Sequence, residues 1–176
     1  MNFLIKYSLL IILAFLSLSF QQQQGFDPNA KVKAVFLYNF TKYFEWPDKM
    51  KSGNFIIQII GTNSNLNQEL NKMSSSKQVG NQKLEIKTST SIDLSIQPHI
   101  IFLLSESSDM LKEITSKYKG KGCLVVTEKN GLAKVGSAIN FVAIDSKLKF
   151  EYNKNNALKE GLKTGDGLNS LAIVID

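Results

Sequence analysis

The sequence predicts an α/β fold: a single-domain three-layer sandwich with a mostly parallel sheet, an antiparallel edge hairpin and helices on both faces. Three observations predict it. Near-continuous apolar runs recur at residues 55–61, 99–104 and 123–127, the pattern of strands buried on both faces. Segments of helical period separate these runs. Later, residues 138–144 and 148–152 are joined by Asp145-Ser146-Lys147, a connection so short that it joins only antiparallel neighbours. At 176 residues the chain has room for one ordinary domain.

Taken in order, residues 1–19 read as a signal peptide. Lys6 precedes an apolar run over 7–16, and Ser17 and Ser19 supply the small residues of a cleavage site, expected after Ser19. The run falls short of the roughly 20 apolar residues that span a bilayer, and no cysteine follows it to carry a lipid. An uncleaved anchor is the competing reading. A flexible lead-in, 20–27, then precedes the domain, 28–176. Asp27-Pro28 should open the first helix, with Asp at the N-cap and Pro at the first helical position, and Pro47 should end it. After the strand at 55–61, residues 62–65 cap a second helix with Leu66, Leu70 and Met73 as its apolar stripe, broken by Ser74-Ser75-Ser76. Residues 84–88 alternate as a short strand. The strand at 99–104 leads to a helix through Met110, Leu111, Ile114 and Tyr118, which Gly120 and Gly122 end. After the hairpin a short helix covers 155–162. Thr164-Gly165-Asp166-Gly167 should interrupt it, since two glycines weaken a helix by about 2 kcal/mol. Residues 168–175 are apolar enough to dock back on the core.

Net charge is +6, yet the basic residues are scattered lysines with no arginine among them, so no nucleic-acid groove is expected. Cys123 stands alone, so no internal disulfide exists and it should be buried as a small hydrophobe. His99 is the only histidine, which excludes a catalytic triad and a histidine-rich metal site and favours a structural role. Glu106, Asp109 and Glu113 lie on turns and helix surfaces rather than as a converging pair. Gly61-Thr62-Asn63-Ser64 joins a strand to a helix start, where an anion can sit, but lacks a glycine-rich fingerprint. No catalytic residue, cofactor or metal is expected. The sequon Asn39-Phe40-Thr41 lies inside a helix and carries no weight.

The stretch 33–47, KAVFLYNFTKYFEWP, holds six aromatic rings. At 100° per residue Val32, Phe36, Leu37, Phe40, Tyr43 and Phe44 share one arc, a core face. Lys31, Ala34, Tyr38, Thr41, Lys42 and Glu45 take the opposite side, Asn39 and Trp46 the boundary, and Lys33 falls inside the apolar arc. Core packing leaves Lys33 and Tyr38 unexplained. Amphipathic Tyr and Trp at a rim also suit a protein-binding surface. The expected partner-binding residues are Lys33, Tyr38, Asn39, Lys42 and Trp46.

The same residues carry a resemblance. Lys33-Ala34-x-Phe36-Leu37-Tyr38-Asn39-Phe40-x-Lys42-Tyr43-x-x-Trp46-Pro47 resembles the N-terminal signature of the YfiR/HmsC-like family. Gly136-x-x-Ile139-Asn140-Phe141-Val142, Leu148-Lys149-Phe150-Glu151-x-Asn153 and Ala157-x-x-x-Gly161-Leu162-Lys163 agree, as do Gly61 and Ile101-Phe102. Thr164-Gly165-Asp166-Gly167 departs from the family, which continues its last helix there. The resemblance implies a periplasmic, non-catalytic regulator. Its partner would be the extracytoplasmic domain of an inner-membrane signalling protein, a diguanylate cyclase or a sensor kinase, with an outer-membrane lipoprotein relieving the restraint. A homodimer is compatible; nucleic acid and membrane insertion after cleavage are not expected. The alternative is a periplasmic small-molecule-binding sensor using the crevice beside Gly61. A carboxylate hydrolase would need two buried, adjacent acids with raised pKa values.

Overall fold

The computed structural model describes residues 26–176 apart from Leu94 and the side chain of Asp166. The expected signal peptide and most of the lead-in lie outside the described residues. Helix α1 (Ala30–Tyr43) leads into a two-residue strand β1 (Phe44–Glu45). Then come β2 (Phe55–Ile60), α2 (Ser64–Ser74), β3 (Gln78–Val79), β4 (Gln82–Ser89) and β5 (Ile100–Leu103). A 3-10 turn at Ser105–Met110 continues as α3 (Leu111–Tyr118), followed by β6 (Leu124–Thr127), α4 (Leu132–Val135), β7 (Ile139–Ile144) and β8 (Lys147–Asn153). Helix α5 (Lys154–Lys159), β9 (Lys163–Thr164) and β10 (Ile173–Ile175) complete the fold.

The main sheet has eight strands in the order β10-β8-β7-β6-β5-β2-β4-β3. Its centre, β7-β6-β5-β2-β4, is parallel, and the β7–β8 hairpin is antiparallel. The hairpin turns on two residues rather than three: Asp145 and Ser146 both have positive φ (51° and 58°), the backbone twist that a tight hairpin favours. The hairpin sits at its expected end of the sheet, with β10 added outside it, parallel to β8. A short antiparallel pair, β3–β4, closes the opposite edge.

Strand alternation divides the core into two layers. Phe55, Ile57, Ile59, Ile100, Phe102, Val126, Phe141, Phe150 and Tyr152 meet α1 and α2 on one face. Ile60, Ile101, Leu103, Cys123 and Val125 meet Leu111, Ile114 and Tyr118 of α3 on the other. Cys123 is fully enclosed, and burial pushes its thiol well above the ordinary value, which makes it an inert packing group. Asn63 caps α2 by accepting the Leu66 N–H at 2.9 Å, and Asn153 caps α5 by accepting from Asn156 at 3.0 Å.

Helix α1 departs from its predicted outline at both ends. Asp27 is not its N-cap and Pro28 is not its first residue: the helix begins at Ala30, and the Asp27 carboxylate accepts from the Asn29 N–H, Lys33 and Asn63 instead. Asp27 is thereby held in place rather than loose. At the other end the helix stops at Tyr43, because Phe44 and Glu45 are extended and pair with Thr164 and Lys163. The predicted arc is rotated as well. Ala34 is buried and Val32 exposed, the reverse of expectation. Ala30, Ala34, Leu37 and Phe40 form the buried face, the two alanines at the end where the helix passes α2. The last helix ends at Lys159, before Gly161 (φ 83°), so Thr164-Gly165-Asp166-Gly167 interrupts nothing: it forms β9 and a 3-10 turn. Leu168 is fully buried, as the docking of the C-terminal segment requires.

Candidate functional site

The outward side of α1 brings three of the expected residues together. Lys42 Nζ donates to Asn39 Oδ1 at 3.0 Å and lies 5.6 Å from the centre of the Tyr38 ring. The Tyr38 hydroxyl donates to the carbonyl of Gln78 at 3.1 Å, which ties this surface to the β3–β4 turn. Between that turn and β1 lies a groove of about 370 Å³. Phe44, Trp46 and Phe55 form its apolar lining, Val79 and Gln82 its far wall, and Lys51 part of its rim. Tyr38 thus stands beside an apolar groove with a charged edge.

Lys33 and Trp46 do not join this cluster. Lys33 is buried at the other end of α1, where its ammonium meets Asp27 at 2.9 Å and Glu128 at 2.7 Å. Glu128 also accepts the Ser105 N–H at 3.1 Å, so the ion triad ties α1 to the ends of β5 and β6. Burial opposes the charge on Asp27, but bonds from Lys33, Asn63 and Asn29 hold its carboxyl below the ordinary value. Two acids therefore do adjoin here, beside a cleft of about 250 Å³, but both are paired with Lys33 and Asp27 is shifted the wrong way for a general acid.

Trp46 is 6% exposed and belongs to the core. Its ring packs edge-on against Phe55 at 5.0 Å, and its indole N–H donates to the His99 carbonyl at 3.2 Å. It reaches the outside only as lining of the groove. His99 has the structural role its sequence context suggests. Its Nδ1 accepts the Ile56 N–H at 3.1 Å, which leaves Nε2 to donate to the Met50 carbonyl at 2.7 Å. Burial lowers its pKa below the ordinary 6.5, outweighing the bond to Met50. The unfolded chain therefore binds a proton that the folded chain refuses, and stability falls as pH drops below about 6.5. Replacing His99 by Asn, which keeps an acceptor for Ile56, should flatten the pH dependence of the melting temperature between pH 7.5 and 5.5. Parallel curves for the two proteins would contradict this protonation assignment.

The crevice beside Gly61 is filled by the chain itself. Glu106 Oε1 accepts the Thr62 N–H at 2.8 Å and sits where an anion would. A Cβ on Gly61 (φ 124°) would lie 2.7 Å from that oxygen and 2.8 Å from Leu104 Cβ, so only glycine fits. Asn140 and Asn153, prominent in the second motif, hold structure. Asn140 bridges Thr127 and Glu151, and Asn153 donates to the Ala133 carbonyl at 3.0 Å. The groove is hard to read locally, because its walls come from two separate segments, residues 44–55 and 79–82. Gly80 and Asn81, a turn between two short runs, were its only local trace.

Among the described residues no group of three His, Cys, Asp or Glu side chains could hold a metal ion, and no helix is long and apolar enough to cross a membrane. Fold and surface together define an α/β domain with an aromatic groove beside its first helix. The YfiR/HmsC-like family model matches residues 30–173, and the chain belongs to that family. No curated protein matches the chain.

Proposed function

We propose that this protein is a periplasmic regulator that binds and restrains the extracytoplasmic sensor domain of a membrane signalling protein, a diguanylate cyclase or a sensor kinase. The family suggests a periplasmic regulator in cyclic-di-GMP signalling. The observation that carries the docking surface is the bond from Tyr38 to Gln78, which sets a half-exposed Tyr and an exposed Lys42 next to the β3–β4 turn that walls the Phe44–Trp46–Phe55 groove. An apolar side chain of the partner would enter the groove, and Lys42 would meet an acidic or aromatic neighbour at the rim. Restraint follows if the regulator binds the inactive form of the sensor more tightly than the active form. An outer-membrane lipoprotein competing for this surface would relieve it.

The test is binding to purified extracytoplasmic domains of the native host's membrane diguanylate cyclases and sensor kinases. The double change Tyr38→Ala with Lys42→Glu should weaken binding at least tenfold, about 1.4 kcal/mol, while the melting temperature moves by only a few degrees. Unchanged affinity in that variant would remove the surface from the account.

A further inference from the structure

Helices α3, α4 and α5 border an open cavity of about 450 Å³ that the docking surface does not use. Lys112 of α3 and Lys119, just past its end, lie seven residues apart and flank the buried face of Leu111, Ile114 and Tyr118. Lys134 of α4 and Lys159 of α5 complete the lining with Asn156 and Glu160. None of the four lysines makes an ion pair with a described residue; Lys159 donates to Asn156 Oδ1 at 3.2 Å. Four like charges around one cavity repel one another and together set up a positive potential that an anion would relieve.

Glu160 lines the same cavity. It is 3% exposed, yet its Oε2 has no hydrogen-bond partner among the described residues. A buried carboxyl oxygen left unbonded is costly and uncommon. Its backbone explains why it is held there: the Gly122 N–H donates to the Glu160 carbonyl at 2.7 Å, and Gly161 (φ 83°) packs on Gly120. Burial also raises the Glu160 carboxyl to about 7, so it offsets the lysine charge only in part near neutral pH.

We infer that this cavity binds a small phosphate ester, its phosphate held by Lys112, Lys119, Lys134 and Lys159 and a neighbouring hydroxyl bonded to Glu160. Lysine ammoniums bind phosphate as point charges, and Glu160 would select esters that carry a donor next to the phosphate. The site stands independently of the docking surface.

Ribose 5-phosphate, inorganic phosphate, ribose and phosphatidylglycerol vesicles are the probes, titrated by calorimetry or co-sedimentation. Ribose 5-phosphate should bind saturably and at least tenfold more tightly than inorganic phosphate, with amide NMR shifts centred on Thr115 and Gly136. Ribose should not bind. The pair Lys119→Glu with Lys134→Glu should weaken the ester at least tenfold. Glu160→Gln should retain binding and Glu160→Ala should reduce the ester to the level of inorganic phosphate, each with its fold checked by thermal melting. No saturable binding, equal affinity in the lysine variant, or binding to vesicles but not to the soluble ester would overturn the proposal.

Discussion

Phe40→Ala should cost about 3–5 kcal/mol, enough to leave a domain of ordinary stability partly unfolded at 37 °C. Phe40 is 1% exposed and stands where α1 crosses the sheet. Its ring meets Phe150 and Phe44 edge-on at 5.2 Å and 6.4 Å, and stacks near Phe141 and Phe36, each at 6.2 Å. Truncation removes the buried ring and leaves a cavity that four rigid aromatics cannot close by small rotations. Tyr38→Ala, two residues away but half-exposed, should cost far less. Urea denaturation of the two variants reads the difference directly. Similar midpoints would mean that α1 is not anchored by the face assigned to it.

Lys33→Met should destabilise by about 3 kcal/mol, since removing one member of a buried ionic cluster leaves the others uncompensated. The two carboxylates it serves, Asp27 and Glu128, are each only 14% exposed at the side chain and would face each other without a cation. The pH dependence should change sign. In the native protein Asp27 is held below its ordinary 3.8, so its contribution is present above that pH and is lost as acid protonates it. In Lys33→Met, protonating Asp27 relieves repulsion, so acidification from pH 7 toward 4.5 should narrow the gap to wild type. A gap that stays constant or widens over that range would show that Lys33 acts through packing alone.

Much of the framework could be read from local sequence. The residues Phe55-Ile56-Ile57-Gln58-Ile59-Ile60 form a strand wherever they are buried on both faces, and Asn63 caps α2 through a bond reaching only three residues ahead. The errors at α1 have long-range causes. Nothing near Phe44 announces that its backbone will pair with Thr164, and the helix is turned so that Ala30 and Ala34 are buried, small residues that a hydrophobic arc weighs too lightly. Trp46 read as a rim residue because its partner for the indole N–H, the His99 carbonyl, lies fifty-three residues away. Lys33 was out of place in the apolar arc, and that oddity was a true signal: it marked an ion triad whose third member, Glu128, comes from the end of β6.

Of the expected docking residues, Tyr38, Asn39 and Lys42 share a surface, and Trp46 contributes from beneath it through the groove. The lysine-lined cavity was invisible for a different reason. Lys112, Lys134 and Lys159 belong to three helices and look singly like solubilising charges, while Glu160 in ALKEG reads as an ordinary helix-end residue until Gly120 and Gly122 are seen to close over it.

The docking claim meets its most direct test in photo-crosslinking inside the native host. A photoreactive residue is placed in turn at positions 38 and 42, with position 147 at the exposed start of β8 as the control. The account predicts adducts from 38 and 42 with the extracytoplasmic part of one membrane signalling protein, and none from 147. Adducts from 147 alone, or none from 38 and 42, would contradict it.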